Sequence, residues 1–414
     1  PLDGIDPSFF FDDDGRTYIV HNGKPPGDKA LYNGHRAIWL WAFDPKTHSV
    51  SNGRIIVNGG AKLADKPVWI EGPHLFKRNG FYYLCAAEGG TSVNHSQVVF
   101  RTKSLDEPFV PFEGNPILTQ RDQHGQRPDP VTSVGHAQLV DTPAGDWWAV
   151  FLGVRPYERN LYNTGRETFL LPVTWADEWP VILKKGEPLP RLVKRPALPA
   201  SQAPTPPTTG SFTWRDEFDG KELGMDWSFL RTPRERWWSL TAKPGSLLVA
   251  PRPVALNSVS EKNLELNGNP SFIARRQQHM DFSAVTTLVV NAATMPSESG
   301  LAALQNDASY FFLGVKVEGG KPREIFLERH VKSSQAVIAR ALLAADSESV
   351  DLKIEGAGKD YRFSYRPAHA DAWIMLIDKV DGSILSTETA GGFVGTMIGV
   401  YSRLPIENAP QAQR

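Results

Sequence analysis

Asp6 and Glu71 are the residues of this sequence best suited to acid–base chemistry. Asp6 lies in the segment GIDPSFF, where Pro7 and apolar neighbours place it directly before a predicted strand, and Glu71 lies in the apolar segment VWIEGPHLF. Apolar surroundings favour the neutral form of a carboxyl group, which a general acid needs near neutral pH, and a second carboxylate nearby raises its pKa further. An isolated Asp before Pro-Ser is most often a turn or cap residue, and an isolated Glu before Gly-Pro is about as often structural, so neither segment assigns a function by itself.

Other classes of function leave no signal in the sequence. There is no P-loop, dinucleotide fingerprint, zinc-protease helix or nucleophile elbow. A net charge of -1 without basic runs argues against a nucleic-acid partner. The apolar runs are far shorter than the roughly 20 residues that span a bilayer, so we expect no membrane partner. Cys85 is the only cysteine, which predicts neither a disulfide nor a thiolate metal cluster. No signal peptide opens the chain, and cytoplasmic, periplasmic and secreted locations all stay open.

The elements that must position these carboxylates are short strands. Turn signals such as Asp-Gly and Asn-Gly separate them, and no long helical periodicity is present. In the first half, the predicted strands are 17–21, 37–43, 81–87, 97–102, 137–142, 147–152 and 168–175. In the second half, they are 245–250, 271–276, 286–291, 310–317, 323–330, 350–355, 361–365 and 373–377. Both halves are therefore predicted to be all-β, the first a meander and the second a β-sandwich of the jelly-roll type.

A stretch rich in Pro, Thr and Ala separates the two halves. It covers residues 189–210 and carries no periodic apolar pattern, so it cannot bury a face. The sequence therefore predicts a first domain at 1–188, a linker at 189–210 and a sandwich domain at 211–414.

Five ordered segments of the first half resemble glycoside hydrolase family 43, in particular its β-xylosidase and α-L-arabinofuranosidase members. They are GIDPSFFFDDDGRTYIV, GHRAIWLWAFDP, WIEGPHLFKRNGFYYLCAAEGGT, GHAQLVDTPAGDWWAVFLGVRP and GRETFLLPVTW. Three segments of the second half resemble the concanavalin-like β-sandwich that follows the catalytic domain in many of these enzymes: DEFDGKELGMDWSFLRTP, SFIARRQQHMDFSAVTTLVV and LAALQNDASYFFLGV. The resemblance covers nearly the whole chain.

The resemblance implies a five-bladed β-propeller with a substrate pocket at its axis. Glu71 would be the general acid, and Asp6 the carboxylate that tunes its pKa and orients it. His136 would lie near the axis, where family members often hold a calcium or other ion through water, although no cofactor is required. A core histidine is the alternative for this residue.

Three further residues are implied in substrate binding, together with His136. Arg166 would hydrogen-bond the sugar hydroxyls, since a planar guanidinium suits vicinal hydroxyls. A surface ion pair is the alternative for Arg166. Thr91 and His95, in the loop after AEGG, would line the leaving-group side.

An inverting hydrolase also needs an aspartate base across the sugar from the acid. The resemblance implies that this base lies in a first blade upstream of GIDPS, and no position here matches it. About 185 residues precede the linker, fewer than the over 200 that five blades need, so one or two blades are expected to be missing from the amino-terminal side. Asp6 as the base itself is the alternative interpretation.

The sequence thus predicts an exo-acting, inverting glycosidase. Its substrates would be xylo-oligosaccharides or arabinoxylan-derived oligosaccharides, from which it would release terminal xylose or arabinose. The alternatives are a non-catalytic carbohydrate-binding protein or inactive fragment, and a structural subunit that completes its propeller with another polypeptide. A homo-oligomer is compatible with the sequence.

Overall fold

Antiparallel strands make up nearly all of the regular structure. The computed structural model describes residues 2–123, 128–202, 210–257, 269–290, 294–344, 347–367 and 370–405. Residues 203–209 of the predicted linker and residue 291 of a predicted strand lie outside this set. The helical elements of the described part are the short turns Pro26–Asp28, Leu63–Asp65 and Gly382–Leu385 and the helix α1, Thr387–Ala390. Among these residues, no helix has the length and apolar character required to span a membrane.

The chain forms two compact units. Unit 1 comprises Pro1–Arg155 and Arg166–Ser201, and unit 2 comprises Pro156–Gly165 and Gln202–Arg414. The ten-residue segment Pro156–Gly165 thus belongs to the second unit, although the strands on either side of it belong to the first.

Unit 1 contains three antiparallel sheets, each built from strands that are consecutive in the chain. The first sheet is β1 (Ile5–Phe11), β2 (Thr17–Gly23), β3 (Ala37–Asp44) and β4 (Ser49–Asn58). The second is β5 (Glu71–Arg78), β6 (Phe81–Glu88), β7 (Ser96–Thr102), β8 (Val110–Pro111) and β9 (Leu118–Thr119). The third is β10 (Thr132–Asp141), β11 (Trp147–Val154), β12 (Glu167–Ala176) and β13 (Trp179–Val181). Sheets of this size and order are typical of propeller blades.

Two apolar cores hold these sheets together. Side chains alternate across a strand, so adjacent residues of β6 serve different cores. Leu84 packs with Val20 and Leu40 of the first sheet, whereas Cys85 packs with Phe151 of the third. The second sheet is therefore buried on both faces, and Cys85 is a free, buried thiol.

Unit 2 is a sandwich of a larger and a smaller sheet. Its first strands are β14 (Ser228–Phe229), β15 (Trp238–Ser239), β16 (Leu248–Val249), β17 (Ser271–Arg276), β18 (Asp281–Val289), β19 (Ser297–Asn306) and β20 (Ser309–Glu318). They are followed by β21 (Lys321–Val331), β22 (Ser334–Leu342), β23 (Ser349–Ala357), β24 (Asp360–Pro367), β25 (Ile374–Asp381) and β26 (Met397–Arg403). The order of the larger sheet is β14-β17-β26-β19-β20-β21-β22, that of the smaller is β18-β23-β24-β25, and β15 and β16 form a separate pair. Leu313, Leu327, Leu352 and Phe363 pack together in the core between the two sheets.

The all-β prediction is confirmed, while several strand boundaries were wrong. The strands that were not predicted from the sequence include β4, β5, β19, β22 and β26, and Asp6 lies inside β1 rather than before it. The predicted strand 245–250 shortens to two residues, because a turn closed by the Ser246 N–H on the Lys243 carbonyl occupies its start.

Candidate active site

Three predicted site residues lie on the first strands of the three sheets of unit 1. Asp6 is on β1, Glu71 begins β5, and His136 is on β10. His95 directly precedes β7, and Glu71, His95 and His136 each offer a donor atom within 4.8 Å of the others. The fold therefore brings together residues that lie far apart in the sequence.

The backbone is irregular at all three first strands. The register shifts between Ile5 and Ser8 in β1, after Glu71 in β5, and twice around Gly135 in β10. Such bulges redirect side chains and are common beside active sites. The positive φ angles of Asp6 and His136, 53° and 54°, cost of order 1–3 kcal/mol each, so the surrounding packing must hold them in place.

Gly72 permits the close approach of His136 to the backbone that follows Glu71. Gly72 has a φ of 56°, and a Cβ there would lie 2.4 Å from His136 Nε2. Glycine alone combines this backbone conformation with that contact. The Glu-Gly-Pro sequence thus places the imidazole of His136 directly against the peptide next to the carboxyl group.

The environment of Glu71 keeps a substantial fraction of its carboxyl group protonated at neutral pH. Burial and, secondly, the negative charge of Asp6 raise the pKa of Glu71 from 4.5 to about 7, against the opposing positive charge of Arg166. Asp6 is close because its Oδ2 accepts a hydrogen bond of 3.0 Å from the N–H of Gly72. A buried carboxyl group beside a second carboxylate can donate a proton to a departing oxygen.

His95 is buried in a single tautomer. Its Nδ1 lies 3.0 Å from the carbonyl oxygen of Ser133, which can only accept, so the proton is on Nδ1 and Nε2 carries the lone pair. Burial is the main cause that lowers the pKa of His95 to about 4. A Cβ on Gly135 would lie 2.8 Å from this ring, so the glycine lets β10 bulge around it. The ring of His95 therefore supports the bulge that carries His136.

His74 is a further histidine of the site that was not predicted from the sequence. Burial lowers the pKa of His74, as does the charge of His136, while Asp6 opposes both. Burial also lowers the pKa of His136, with Asp6 opposing and Arg166 adding to the shift. His74 lies in the same EGPHL segment as Glu71, and that position was its only signal.

Arg166 and Thr91 lie in loops between strands. Arg166 directly precedes β12, and its charge acts on the pKa of Glu71, His95 and His136, so its guanidinium is near all three. Thr91 is half-buried in the loop between β6 and β7 that leads to His95.

Glu71, His95 and His136 are also a set of side chains that could hold a metal ion. The set contains two imidazole nitrogens and one carboxylate, which suits a transition-metal ion. Calcium prefers six to eight oxygen ligands, so these side chains fit calcium only through intervening water. Calcium near His136 stays a prediction.

Comparison with known proteins defines the class of the chain. Residues 2–180 match the model of "Glycosyl hydrolases family 43", and residues 215–410 match that of "Beta xylosidase C-terminal Concanavalin A-like domain". A non-reducing end alpha-L-arabinofuranosidase of Bacteroides ovatus is 35% identical over 96% of this chain and 68% of its own length. A xylosidase/arabinosidase of Butyrivibrio fibrisolvens is 33% identical over 96% of this chain and 73% of its own length.

Solved structures agree with this relationship. A GH43_12 protein retrieved from a capybara gut metagenome has a TM-score of 0.86 and 34% identity, covering 97% of this chain and 73% of its own. The Bacteroides ovatus GH43B of a xyloglucan PUL has a TM-score of 0.76 and 30% identity, covering 97% and 72%. The fold is thus that of a β-propeller followed by a β-sandwich, as predicted. The chain belongs to glycoside hydrolase family 43.

Proposed function

We propose that this glycoside hydrolase is exo-acting and inverting, and that it releases terminal xylose or arabinose from hemicellulose oligosaccharides. The observation that carries the proposal is the half-buried Glu71, whose pKa of about 7 keeps a substantial fraction of it protonated at neutral pH beside a second carboxylate. The relatives are an arabinofuranosidase and a xylosidase/arabinosidase, which supports the choice of sugar. Xylo-oligosaccharides and arabinoxylan-derived oligosaccharides are the proposed substrates.

Each residue of the site has a separate role in the proposed reaction. Glu71 donates its proton to the oxygen that leaves the cleaved sugar. Asp6 orients the acid through the adjacent Gly72 N–H and raises its pKa. Arg166, placed near the acid, binds the sugar hydroxyls, and Thr91 and His95 line the side of the leaving group.

Water activation needs a further carboxylate. In inverting enzymes the acid and base carboxyl groups are about 6.5–9.5 Å apart, on opposite faces of the sugar. Asp6 accepts a hydrogen bond from the backbone N–H of Gly72, the residue that follows the acid. This position beside the acid suits a residue that orients it, and not a base on the opposite face of the sugar. We therefore assign water activation to an aspartate other than Asp6.

The test is sugar release from phenyl β-xyloside and phenyl α-L-arabinofuranoside, whose leaving group needs a proton, by the wild type, Glu71→Ala and Glu222→Ala. Glu222 is an exposed carboxylate paired with Arg236 in unit 2 and serves as the matched control. We expect Glu71→Ala to lose at least about 10²-fold in kcat, the usual contribution of a general acid, and the control to match the wild type. Proton NMR of the first product should show the anomer opposite to that of the substrate.

Two results would contradict the proposal. Equal turnover by the wild type and Glu71→Ala removes Glu71 from the mechanism. Sugar binding in a calorimeter without any turnover identifies a carbohydrate-binding protein instead.

A further inference from the structure

The backbone on either side of Glu71 leaves the regular strand ladder. The pairing of β5 with β6 shifts register between Glu71 and His74, Gly72 has a positive φ, and Pro73 has no N–H to donate. A bulge of this kind leaves backbone groups without ladder partners, and buried groups must then bond elsewhere. The position of the acid therefore depends on side chains from outside β5.

Asn22 binds the carbonyl group directly before Glu71. Its Nδ2 donates to the carbonyl oxygen of Ile70 at 2.6 Å, and the residue is only 1% exposed. Asn22 is itself held in place. Trp41 Nε1–H donates to His21 Nε2 at 3.0 Å, which leaves the proton of His21 on Nδ1, and Nδ1 donates to the Asn22 carbonyl at 2.9 Å. A chain of hydrogen bonds thus runs from β3 through β2 to the acid's main chain.

Ser8 and Asp6 bind the backbone directly after Glu71. Ser8 Oγ donates to the carbonyl oxygen of Pro73 at 2.6 Å, and Asp6 Oδ2 accepts from the Gly72 N–H at 3.0 Å. The bulge in β1 between Ile5 and Ser8 lies beside that in β5. Side chains of the first sheet therefore hold the backbone on both sides of the acid.

We propose that Ser8 and Asn22 are positioning residues that fix the main chain of the general acid Glu71 in the geometry for proton donation. This inference rests on the proposed function. A misplacement of about 1 Å can cost about 10²-fold in rate, so two bonds that flank the acid can control catalysis without touching the substrate. Neither residue carries a sequence signal for this role.

The dependence of rate on the leaving group separates positioning from general structural support. An acidic phenol such as dinitrophenol departs without protonation, whereas unsubstituted phenol needs the proton from the acid. A displaced acid therefore slows phenyl β-xyloside and spares dinitrophenyl β-xyloside. Loss of folded protein lowers both rates equally. Azide, an anionic nucleophile that needs no base, is included so that turnover does not depend on activated water.

Ser8→Ala is the primary variant, and Ser8→Thr restores the hydroxyl group. We expect Ser8→Ala to lose about tenfold in kcat on the phenyl substrate, with KM unchanged, little change on the dinitrophenyl substrate, and recovery in Ser8→Thr. Asn22→Ala should behave like Ser8→Ala. Ser271→Ala is the matched control, because Ser271 also donates a side-chain bond of 2.7 Å to a backbone carbonyl, that of Ala250, within unit 2.

Crystal structures of the variants give a readout that needs no turnover. We expect the Glu71 carboxyl group to shift by about 0.5 Å or more in Ser8→Ala and to stay in place in the control. An unmoved carboxyl group, or equal losses on both substrates, would overturn the positioning role. If Glu71→Gln itself shows no leaving-group dependence, the proposed function fails; if Glu71→Gln shows it and Ser8→Ala does not, only this inference fails.

Discussion

Replacing Glu71 by Gln should stabilise the protein above neutral pH. The folded pKa of Glu71 is raised from 4.5 to about 7, so between these values the native state binds more protons than the unfolded chain does. The free energy of unfolding of the wild type then falls as the pH rises through this window. Glutamine has nearly the same shape and does not ionise, and this variant escapes that loss.

The pKa of Glu71 sets the size of the effect. The difference between 4.5 and about 7 corresponds to about 3.4 kcal/mol, since one pKa unit is 1.36 kcal/mol. Glu71 is only partly buried, so solvent screening reduces the expected gain to about 1–2 kcal/mol. Urea unfolding, followed through the transition of unit 1 at about pH 8 and about pH 4 with a chelator present, measures it.

The comparison between the two pH values decides the outcome. At about pH 4 the carboxyl group is protonated in both states, and the two proteins should differ by no more than a few tenths of a kcal/mol. A pH-independent difference, or a Glu71→Gln variant that is less stable than the wild type at about pH 8, would refute the account of the Glu71 environment.

Three further changes have expected outcomes. Asp6→Asn should move the basic limb of the kcat–pH profile to lower pH, because it removes the charge that raises the pKa of the acid; an unmoved limb contradicts this. Gly72→Ala should lower the free energy of unfolding, measured in urea, by at least about 2 kcal/mol, because Gly72 has a positive φ and the new Cβ would contact His136. Gly80→Ala is the control: Gly80 also has a positive φ but has open space around it, and its replacement should cost only about 1 kcal/mol. Arg166→Lys should raise KM for xylo-oligosaccharides about tenfold or more by losing the planar guanidinium donor, and an unchanged KM would remove this residue from the sugar site.

Strands that contain glycine or proline were the main failure of prediction. Glycine and proline usually mark turns, so β5, β19 and β26 were not predicted. In the structure Gly300 of β19 and Gly399 of β26 permit close approaches between backbones. A Cβ on Gly300 would lie 2.1 Å from the Leu313 carbonyl oxygen, and one on Gly399 would lie 2.1 Å from that of Ile273. Such contacts depend on which strands pair, and the local sequence does not specify that.

For the candidate site as well, local sequence pointed to some residues, whereas the contacts between distant segments could not be predicted. Asp6 and Glu71 could be singled out as candidates from their own segments, because carboxylates in apolar surroundings are unusual, but only the resemblance of the ordered segments to family 43 suggested their roles. The bonds that Ser8 and Asn22 make to the backbone around Glu71 join residues 65 and 48 positions apart, and only the packing of one sheet on the next creates them. The single tautomer of His95 likewise depends on the Ser133 carbonyl in another sheet.

The assignment of Glu71 as the general acid is tested most directly by the leaving-group dependence of the Glu71→Gln variant. The measurement is kcat/KM for phenyl and dinitrophenyl β-xyloside at a pH below the pKa of about 7. We expect a loss of about 10²–10⁴-fold on the phenyl substrate and near wild-type rates on the dinitrophenyl substrate. Equal losses on both substrates, or none on either, would contradict the assignment.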